Sequence, residues 1–368
     1  MIVCCGEALI DFLPRLAKDG APVYQPFCGG SVYNTAIALG RLGIPTGLFA
    51  GVSTDFFVDM LQEGLKASKV DLKYTKVWDR PSTLAFVKLS DGHARYSFFD
   101  DYSAQRMLTK KDLPKLDRQV AALHFGSISL IPEPGGATLE ALMKREAKTR
   151  VISLDPNIRP SQIKDRRGHL ARLNRLIAMC DILKISDEDV VWMTGKTDFA
   201  KTAKKWLKAG AKVVAITRGG EGVEAHTKSG SVRLDAVKVK VADTVGAGDT
   251  FTAGLLAALS NAGLLDKKAI AAISAADLEK ALAFATRAAA VTVSRPGADP
   301  PWASDWFDFY PSSRSGEGGA KRRVGAVPRA KAPSVTRESR QACAGCASLP
   351  ARAPPSPPFG RRRMLAFA

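Results

Sequence analysis

Asp243-Thr-Val-Gly246-Ala247-Gly248-Asp249-Thr-Phe-Thr-Ala-Gly254 is the stretch that decides how this chain of 368 residues is read. Three small residues stand between two carboxylates at the point where a strand is expected to turn into a helix. Upstream, Val237, Val239 and Val241 alternate with Lys238 and Lys240, which predicts a half-buried strand over Ala236 to Val241. Downstream, Phe251, Leu255, Leu256 and Leu259 recur at helical spacing. Gly246, Ala247 and Gly248 therefore open a helix. Backbone almost bare of side chains lets the helix's unpaired N–H groups and dipole meet an anion such as a phosphate. Asp249 falls in the first turn, beside that anion. Repulsion makes it a poor phosphate ligand, but it suits a general base taking the proton of a hydroxyl that attacks phosphorus. An Asp capping a helix after an ordinary glycine turn stays open on spacing alone.

A second polar stretch, Cys28-Gly29-Gly30-Ser31-Val32-Tyr33-Asn34-Thr35-Ala36, leads into the helical pattern Ala36, Leu39, Leu42. Its glycines bring backbone against a small polar ligand, and Asn34 offers a donor and an acceptor to hydroxyls. An Asn in the first turn of an unremarkable helix is the alternative. The two stretches lie roughly 210 residues apart, and that order strengthens both. Asp243 to Gly254 resembles the C-terminal motif of the ribokinase-like, phosphofructokinase-B type carbohydrate kinases. Gly29 to Asn34 is similar to that family's N-terminal G-G-x-x-x-N sugar motif.

The resemblance implies that Asp249 is the catalytic base and that Gly246, Ala247 and Gly248 form the anion hole. It also implies that Asp11, with Gly29, Gly30 and Asn34, holds the sugar, because family members open with a strand, here Ile2 to Cys5, and then such an Asp. Val151-Ile-Ser-Leu-Asp155-Pro-Asn157-Ile-Arg159 reads as a buried strand ending in a polar loop. Its D-x-N-x-R string looks like that of fructokinases and 2-keto-3-deoxygluconate kinases, which brings Arg159, a planar fixed donor, to the sugar. An arginine merely paired with Asp155 is the alternative. Val213 to Gly222 is a further strand-to-glycine turn where family members place the nucleotide, which implies roles for Thr217, Gly219 and Gly222. Ser186-Asp187-Glu188-Asp189 occupies the place of the family's N-x-x-E string, with Ser186 and Asp189 substituted for the Asn and Glu. Glu188 is the expected magnesium-side residue there, since Mg²⁺ favours carboxylate oxygens with retained water. The same acidic run also fits a charged first helical turn. Asp243 is expected near a monovalent cation such as K⁺, close to the loop Arg295-Pro-Gly297.

Strand patterns at Ile2, Leu48, Ala122, Val151, Ile182 and Val213 alternate with helical stretches, which predicts an α/β fold with a mainly parallel sheet covered on both faces. Thr83 to Leu89 and Ala94 to Phe99 flank an Asp91-Gly92 turn as a hairpin. By resemblance the fold is the ribokinase-like three-layer fold. Residues of about 12–27 and 82–100 then make a small β lid whose apolar face, with Phe98, covers the sugar and excludes water. Plain sheet packing of Phe86, Phe98 and Phe99 is the alternative.

Residues 1–311 are expected to form this kinase domain. From Ser312 onward the texture changes: 12 of the chain's 54 Lys and Arg face 2 of its 36 acidic residues, and seven prolines occur in 57 positions. That tail is expected to be disordered. It carries +10 of the net +18 yet lacks aromatic interleaving, so nucleic-acid binding is disfavoured. An extension read out of frame has a similar texture. Cys343-x-x-Cys346 lacks a second pair for zinc, and Cys4, Cys5, Cys28 and Cys180 form no secretory framework. His93, His124, His169 and His226 show no metal or nucleophile spacing. No stretch approaches a membrane span or a signal segment, so the cytoplasm is the expected location.

The expected activity is that of an ATP- and Mg²⁺-dependent sugar kinase, with K⁺ as a further cation, phosphorylating a primary hydroxyl of D-fructose. 2-Keto-3-deoxygluconate is the alternative within the class. A kinase-derived nucleic-acid-binding protein using the tail is the alternative outside it. A homodimer is expected by analogy with the family.

Overall fold

The computed structural model describes residues 1–305, apart from 91–92 and the side chains of 89–95. The expected tail disorder, the Cys343 and Cys346 pair and the Asp91-Gly92 turn therefore lie outside the described residues.

In chain order the strands are β1 (Ile2–Cys5), β2 (Leu9–Leu16), β3 (Pro22–Gly29), β4 (Thr46–Phe49), β5 (Gly51–Ser53), β6 (Val70–Asp71), β7 (Lys76–Trp78), β8 (Thr83–Ser90), β9 (His93–Phe99), β10 (Ala122–Gly126), β11 (Val151–Asp155), β12 (Ile182–Ser186), β13 (Val213–Thr217), β14 (Val223–Thr227) and β15 (Gly230–Leu234). The helices are α1 (Ser31–Arg41), α2 (Val58–Ala67), α3 (Gly135–Glu146), α4 (Arg166–Met179), α5 (Asp187–Thr194), α6 (Phe199–Ala209), α7 (Ala247–Asn261), α8 (Lys267–Ala271) and α9 (Ala275–Val293).

Nine strands form the central sheet in the order β15-β14-β13-β12-β11-β10-β1-β4-β6. Pairing is parallel from β6 through β13 and antiparallel only where β14 and β15 turn back at one edge. The parallel strands read as unbroken apolar runs because both of their faces are covered. Within β1, Ile2 and Cys4 enter a core shared with α1, α2, α7 and α9. Val3 and Cys5 enter a second core, shared with α3, α4, α5 and α6. These are three layers, as the alternation of strands and helices predicts.

A separate four-stranded sheet, β3-β2-β8-β9, grows out of β1 through Gly6 to Ala8. Successive residues of a strand point to opposite faces. Asp11, Ala85 and Phe98 are register partners on one face, while Phe12 and Phe86 stack on the other at 4.6 Å between ring centroids. Phe86 also meets Phe99 and Tyr24 edge-on. The sheet thus sorts its aromatics: Phe98 lies on the face of Asp11, and Phe86 and Phe99 pack away from it.

One expectation is corrected. Ala236 to Val241 is no strand: β15 ends at Leu234, and the following residues have no ladder partners. The alternation holds as far as Lys240, because Val237 and Val239 are half-buried and Lys238 and Lys240 exposed, but Val241 is exposed as well. The apolar side faces a cleft instead of a neighbouring strand.

Candidate active site

Helices α1 and α7 pack together and begin at glycines, Gly30 and Gly246, with no side-chain cap. Asp249, in the first turn of α7, is buried. Its Oδ1 accepts from Ser31 Oγ at 2.6 Å and its Oδ2 from Asn34 Nδ2 at 2.9 Å, both from the first turn of α1. Ser31 Oγ in turn accepts from Asn157 Nδ2 at 2.8 Å, and Asn157 Oδ1 accepts from Arg159 Nη1 at 2.7 Å. Asn157 holds a left-handed φ of 39°, a conformation that Asn tolerates better than most residues and that aims its amide back at α1. Burial pushes the Asp249 carboxyl above its ordinary range, and the donors Ser31 and Asn34 oppose that rise.

Gly246 has a left-handed φ of 76°, and a side chain there would strike Ala298. At Gly248 a Cβ would come within 2.9 Å of Lys184 Nζ. Thr250 is the first residue of this turn to close onto the Gly246 carbonyl, at 2.8 Å. Before it, Ala247 N donates to the Thr244 carbonyl at 3.3 Å, while the Gly248 and Asp249 N–H groups are those that the first turn of a helix leaves for an anion.

Two cavities meet at this turn, and Gly248 borders both. One, of about 310 Å³, is polar: Asp11, Gly30, Asn34, Phe98 and Arg159 surround Asp249. Gly29 stands just behind, against the Asp11 carboxylate. Burial pushes the Asp11 carboxyl up to about 6, with Arg159 pulling it down and Asp249 and Glu7 adding to the rise. The other cavity, of about 390 Å³, is lined by Thr217, Gly219, Gly222, Ala247, Gly248 and apolar residues including Val237 and Val239.

Two predicted residues stand apart. Glu188 is exposed and borders neither cavity, whereas its neighbour Asp189 is buried and accepts from Ile158 N at 3.2 Å. Ser186 caps α5 by accepting from Asp189 N. Asp243 holds two loops together, accepting from Val245 N at 3.0 Å and Gly297 N at 2.9 Å.

Sequence reasoning gave no role to Ser31, Asn157, Glu7 or Lys184. Glu7 is buried and accepts from Val32 N and Ser129 N, both at 3.4 Å, at the root of the β2-β3-β8-β9 sheet. For Lys184 a signal existed: a lysine inside the apolar run Ile182-Leu-Lys-Ile185 must find a partner if the strand is buried.

A buried carboxylate in the first turn of a glycine-opened helix, between a polar cavity and an apolar cleft, is the arrangement of phosphoryl-transfer enzymes acting on small polyols. Comparison with known proteins makes this specific. Residues 1–305 match the model of the pfkB family carbohydrate kinases. A fructokinase of Rhizobium leguminosarum bv. trifolii is 53% identical over 273 residues, covering 74% of this chain and 84% of that protein. Among solved structures, a fructokinase from Xylella fastidiosa with bound ATP superposes with a TM-score of 0.77 at 24% identity, over 84% of this chain and 98% of that one. A fructokinase double mutant from Vibrio cholerae O395, in fructose, ADP and potassium ion bound form, gives 0.71 at 24% identity, over 81% and 93%. The chain belongs to the pfkB family of carbohydrate kinases, and its fold is ribokinase-like, with β2, β3, β8 and β9 in the place of the lid.

Proposed function

We propose that this chain is an ATP-dependent fructokinase, converting D-fructose to fructose 6-phosphate and ATP to ADP. The observation that carries the reading is Asp249, a buried carboxylate fixed by two donors where the polar cavity meets the apolar cleft. The fructokinase that shares 53% of aligned residues gives the substrate.

In this reading the sugar occupies the polar cavity, with Asp11 and Asn34 bonding its hydroxyls, Arg159 and the Gly29-Gly30 backbone beside them, and Phe98 closing over it. The primary hydroxyl lies at Asp249. As its oxygen bonds to the terminal phosphorus of ATP, the bond from that phosphorus to the bridging oxygen breaks, and Asp249 takes the hydroxyl proton. Backbone N–H groups of Gly246, Ala247 and Gly248 stabilise charge on the moving phosphoryl. Because Ser31 and Asn34 use one lone pair on each oxygen, the carboxylate keeps capacity for that proton. The nucleotide body lies in the second cavity, along Thr217, Gly219 and Gly222.

Mg²⁺ fits the residues present as a cation carried on the nucleotide's phosphates. Among the described residues no group of three or more His, Cys, Asp or Glu clusters to hold a metal, and Mg²⁺ usually takes one or two carboxylates and keeps its waters. Glu188, exposed two residues beyond Ser186, the register partner of Thr217, would hold the ion from outside the cavity walls in this reading. When bound, the cation neutralises charge that builds on the phosphate oxygens. Asp243, tied to the Gly297 loop, fits a monovalent-cation site built largely of backbone. A homodimer would use the outer lid face, where Leu16, Tyr24 and Phe99 are exposed.

Among the described residues no helix is long and apolar enough to cross a membrane. The basic tail behind the nucleic-acid reading lies outside the described residues. The test is ADP release by the full chain with Mg²⁺, ATP and D-fructose, against 2-keto-3-deoxygluconate and against no sugar. Saturable release with fructose is expected. Release with the acidic sugar alone would move the assignment to a 2-keto-3-deoxygluconate kinase, and none with any sugar would overturn it.

A further inference from the structure

Lys184 is a buried cation that the reaction as described does not use. Its ammonium pairs with Asp155 Oδ2 at 2.9 Å, and the two side chains are 6% and 2% exposed. Any side chain at Gly248 would come within 2.9 Å of that nitrogen, so the ammonium lies directly beneath the turn that forms the anion hole. Thr252, one turn further along α7, closes the arrangement: its Oγ1 lies 3.5 Å from the same Asp155 oxygen and donates to the Gly248 carbonyl at 3.1 Å. Lys184 borders neither cavity, so it touches neither sugar nor nucleotide.

We propose that Lys184 is a positioning residue for phosphoryl transfer: clamped by Asp155 beneath Gly248, its ammonium seats the first turn of α7 and sets the charge beneath Asp249. This rests on Asp249 being the base. The charges around it come from every packed element. Asp249 faces Asp155 of β11, Glu7 after β1, Asp11 of β2 and Tyr96 of β9, all of which are negative or can become so. Lys184 of β12 is the cation offsetting them from below, while Arg159 bears on Asp11 and Tyr96 from the cavity side. Asp189 of α5 also faces Lys184, and His124 of β10, held down near 4 by burial, contributes no charge at neutral pH. Burial disfavours the ammonium itself. Asp155 first, then Asp249 and Asp189, outweigh that and hold it above its ordinary range, so it remains charged wherever the enzyme works.

The test is the pH profile of kcat, at saturating fructose and ATP, for the full chain and three variants. Lys184→Met removes the offsetting cation and should raise the acid limb, with at least a ~10-fold loss of kcat at neutral pH and a fructose KM within a few-fold. Asp155→Asn removes an anion facing Asp249 and should move the limb the other way. The double variant should bring it back. Opposite movements cannot come from loosened packing, which lowers kcat without setting the sign of a limb. Limbs that stay put, or move in the same direction, overturn the proposal. If Lys184→Met fails to fold, Lys184→Gln takes its place, since a limb that does not rise when the cation alone is lost overturns the proposal. Failure of the fructokinase reading looks different, because wild type would then show no fructose-dependent turnover.

Discussion

Replacing Asp11 by Asn should strengthen the fold and weaken sugar binding, with a sign that depends on pH. Burial, added to by Asp249 and Glu7 and opposed by Arg159, raises the Asp11 carboxyl from 3.8 to about 6 in the folded chain. A group raised on folding favours the protonated native state. Its contribution is intact below pH 3.8 and is lost as pH rises through 6, so at pH 8 the whole cost of the ionised carboxylate is felt. The span from 3.8 to about 6 corresponds to about 3 kcal/mol at 1.36 kcal/mol per pH unit. The cavity admits solvent, and screening there reduces this to about 1–2 kcal/mol. Asp11→Asn should therefore raise the melting temperature at pH 8 by about 2–5 °C and leave it unchanged at pH 4. The sugar should respond in the opposite sense. Losing a charged acceptor worth about 1.5–3 kcal/mol should raise the fructose KM by about 10- to 100-fold, with the ATP KM nearly constant. Scanning calorimetry at the two pH values and steady-state kinetics check both halves. A variant less stable than wild type at pH 8 would refute the electrostatic part, and an unchanged fructose KM would remove Asp11 from the sugar site.

Three further substitutions probe the turn and its base. Asp249→Asn keeps the shape but removes the proton acceptor, so kcat should fall by at least ~10²-fold while the ATP KM stays within a few-fold; turnover near wild type would exclude Asp249 as the base. Ser31→Ala deletes the 2.6 Å donor to Asp249, which should raise the acid limb of kcat and lower turnover by about 10-fold, as pH-dependent kinetics will show. Gly248→Ala drives a methyl into Lys184 Nζ and should cost about 10²-fold in kcat, whereas Gly263→Ala, at a left-handed turn with open space around it, should lower only the melting temperature.

The glycines that open α1 and α7 were legible because backbone geometry there restricts residue type: a left-handed N-cap such as Gly246 admits little else. The parallel sheet was legible because strands buried on both faces must be apolar throughout. Other features depend on what lies opposite, which sequence does not carry. Alternation over Ala236 to Val241 says that one side is apolar, but not whether a strand or a cleft faces it. Glu188 and Asp189 differ by one residue, about 100° around α5, and the direction of that rotation buries one carboxylate and exposes the other. Ser31 and Asn157 are unremarkable as residue types. They acquire a role only because α1, α7 and the loop after β11 converge, and the separations of 218 and 126 residues across their hydrogen bonds show how far apart those parts lie.

The division of the proposed sugar ligands between lid and body bears on how such a site avoids spending ATP on water. Asp11, Tyr96 and Phe98 stand on lid strands, while Asp249 and the anion-hole turn belong to the three-layer body. The lid sheet joins β1 through only Gly6 to Ala8, and Glu7 in that link is bonded to both the start of α1 and the turn at Ser129. A sugar that bonds Asp11 above and Asn34 below ties lid to body at the moment it presents its hydroxyl to Asp249. A water molecule at Asp249 can donate to the same base but is too small to reach both Asp11 and Asn34 across the 310 Å³ cavity, so it lacks the binding energy that orients the nucleophile. On the proposed roles, discrimination against hydrolysis follows from a sugar that must meet Asp11 on the lid and Asn34 on the body together before its hydroxyl reaches Asp249.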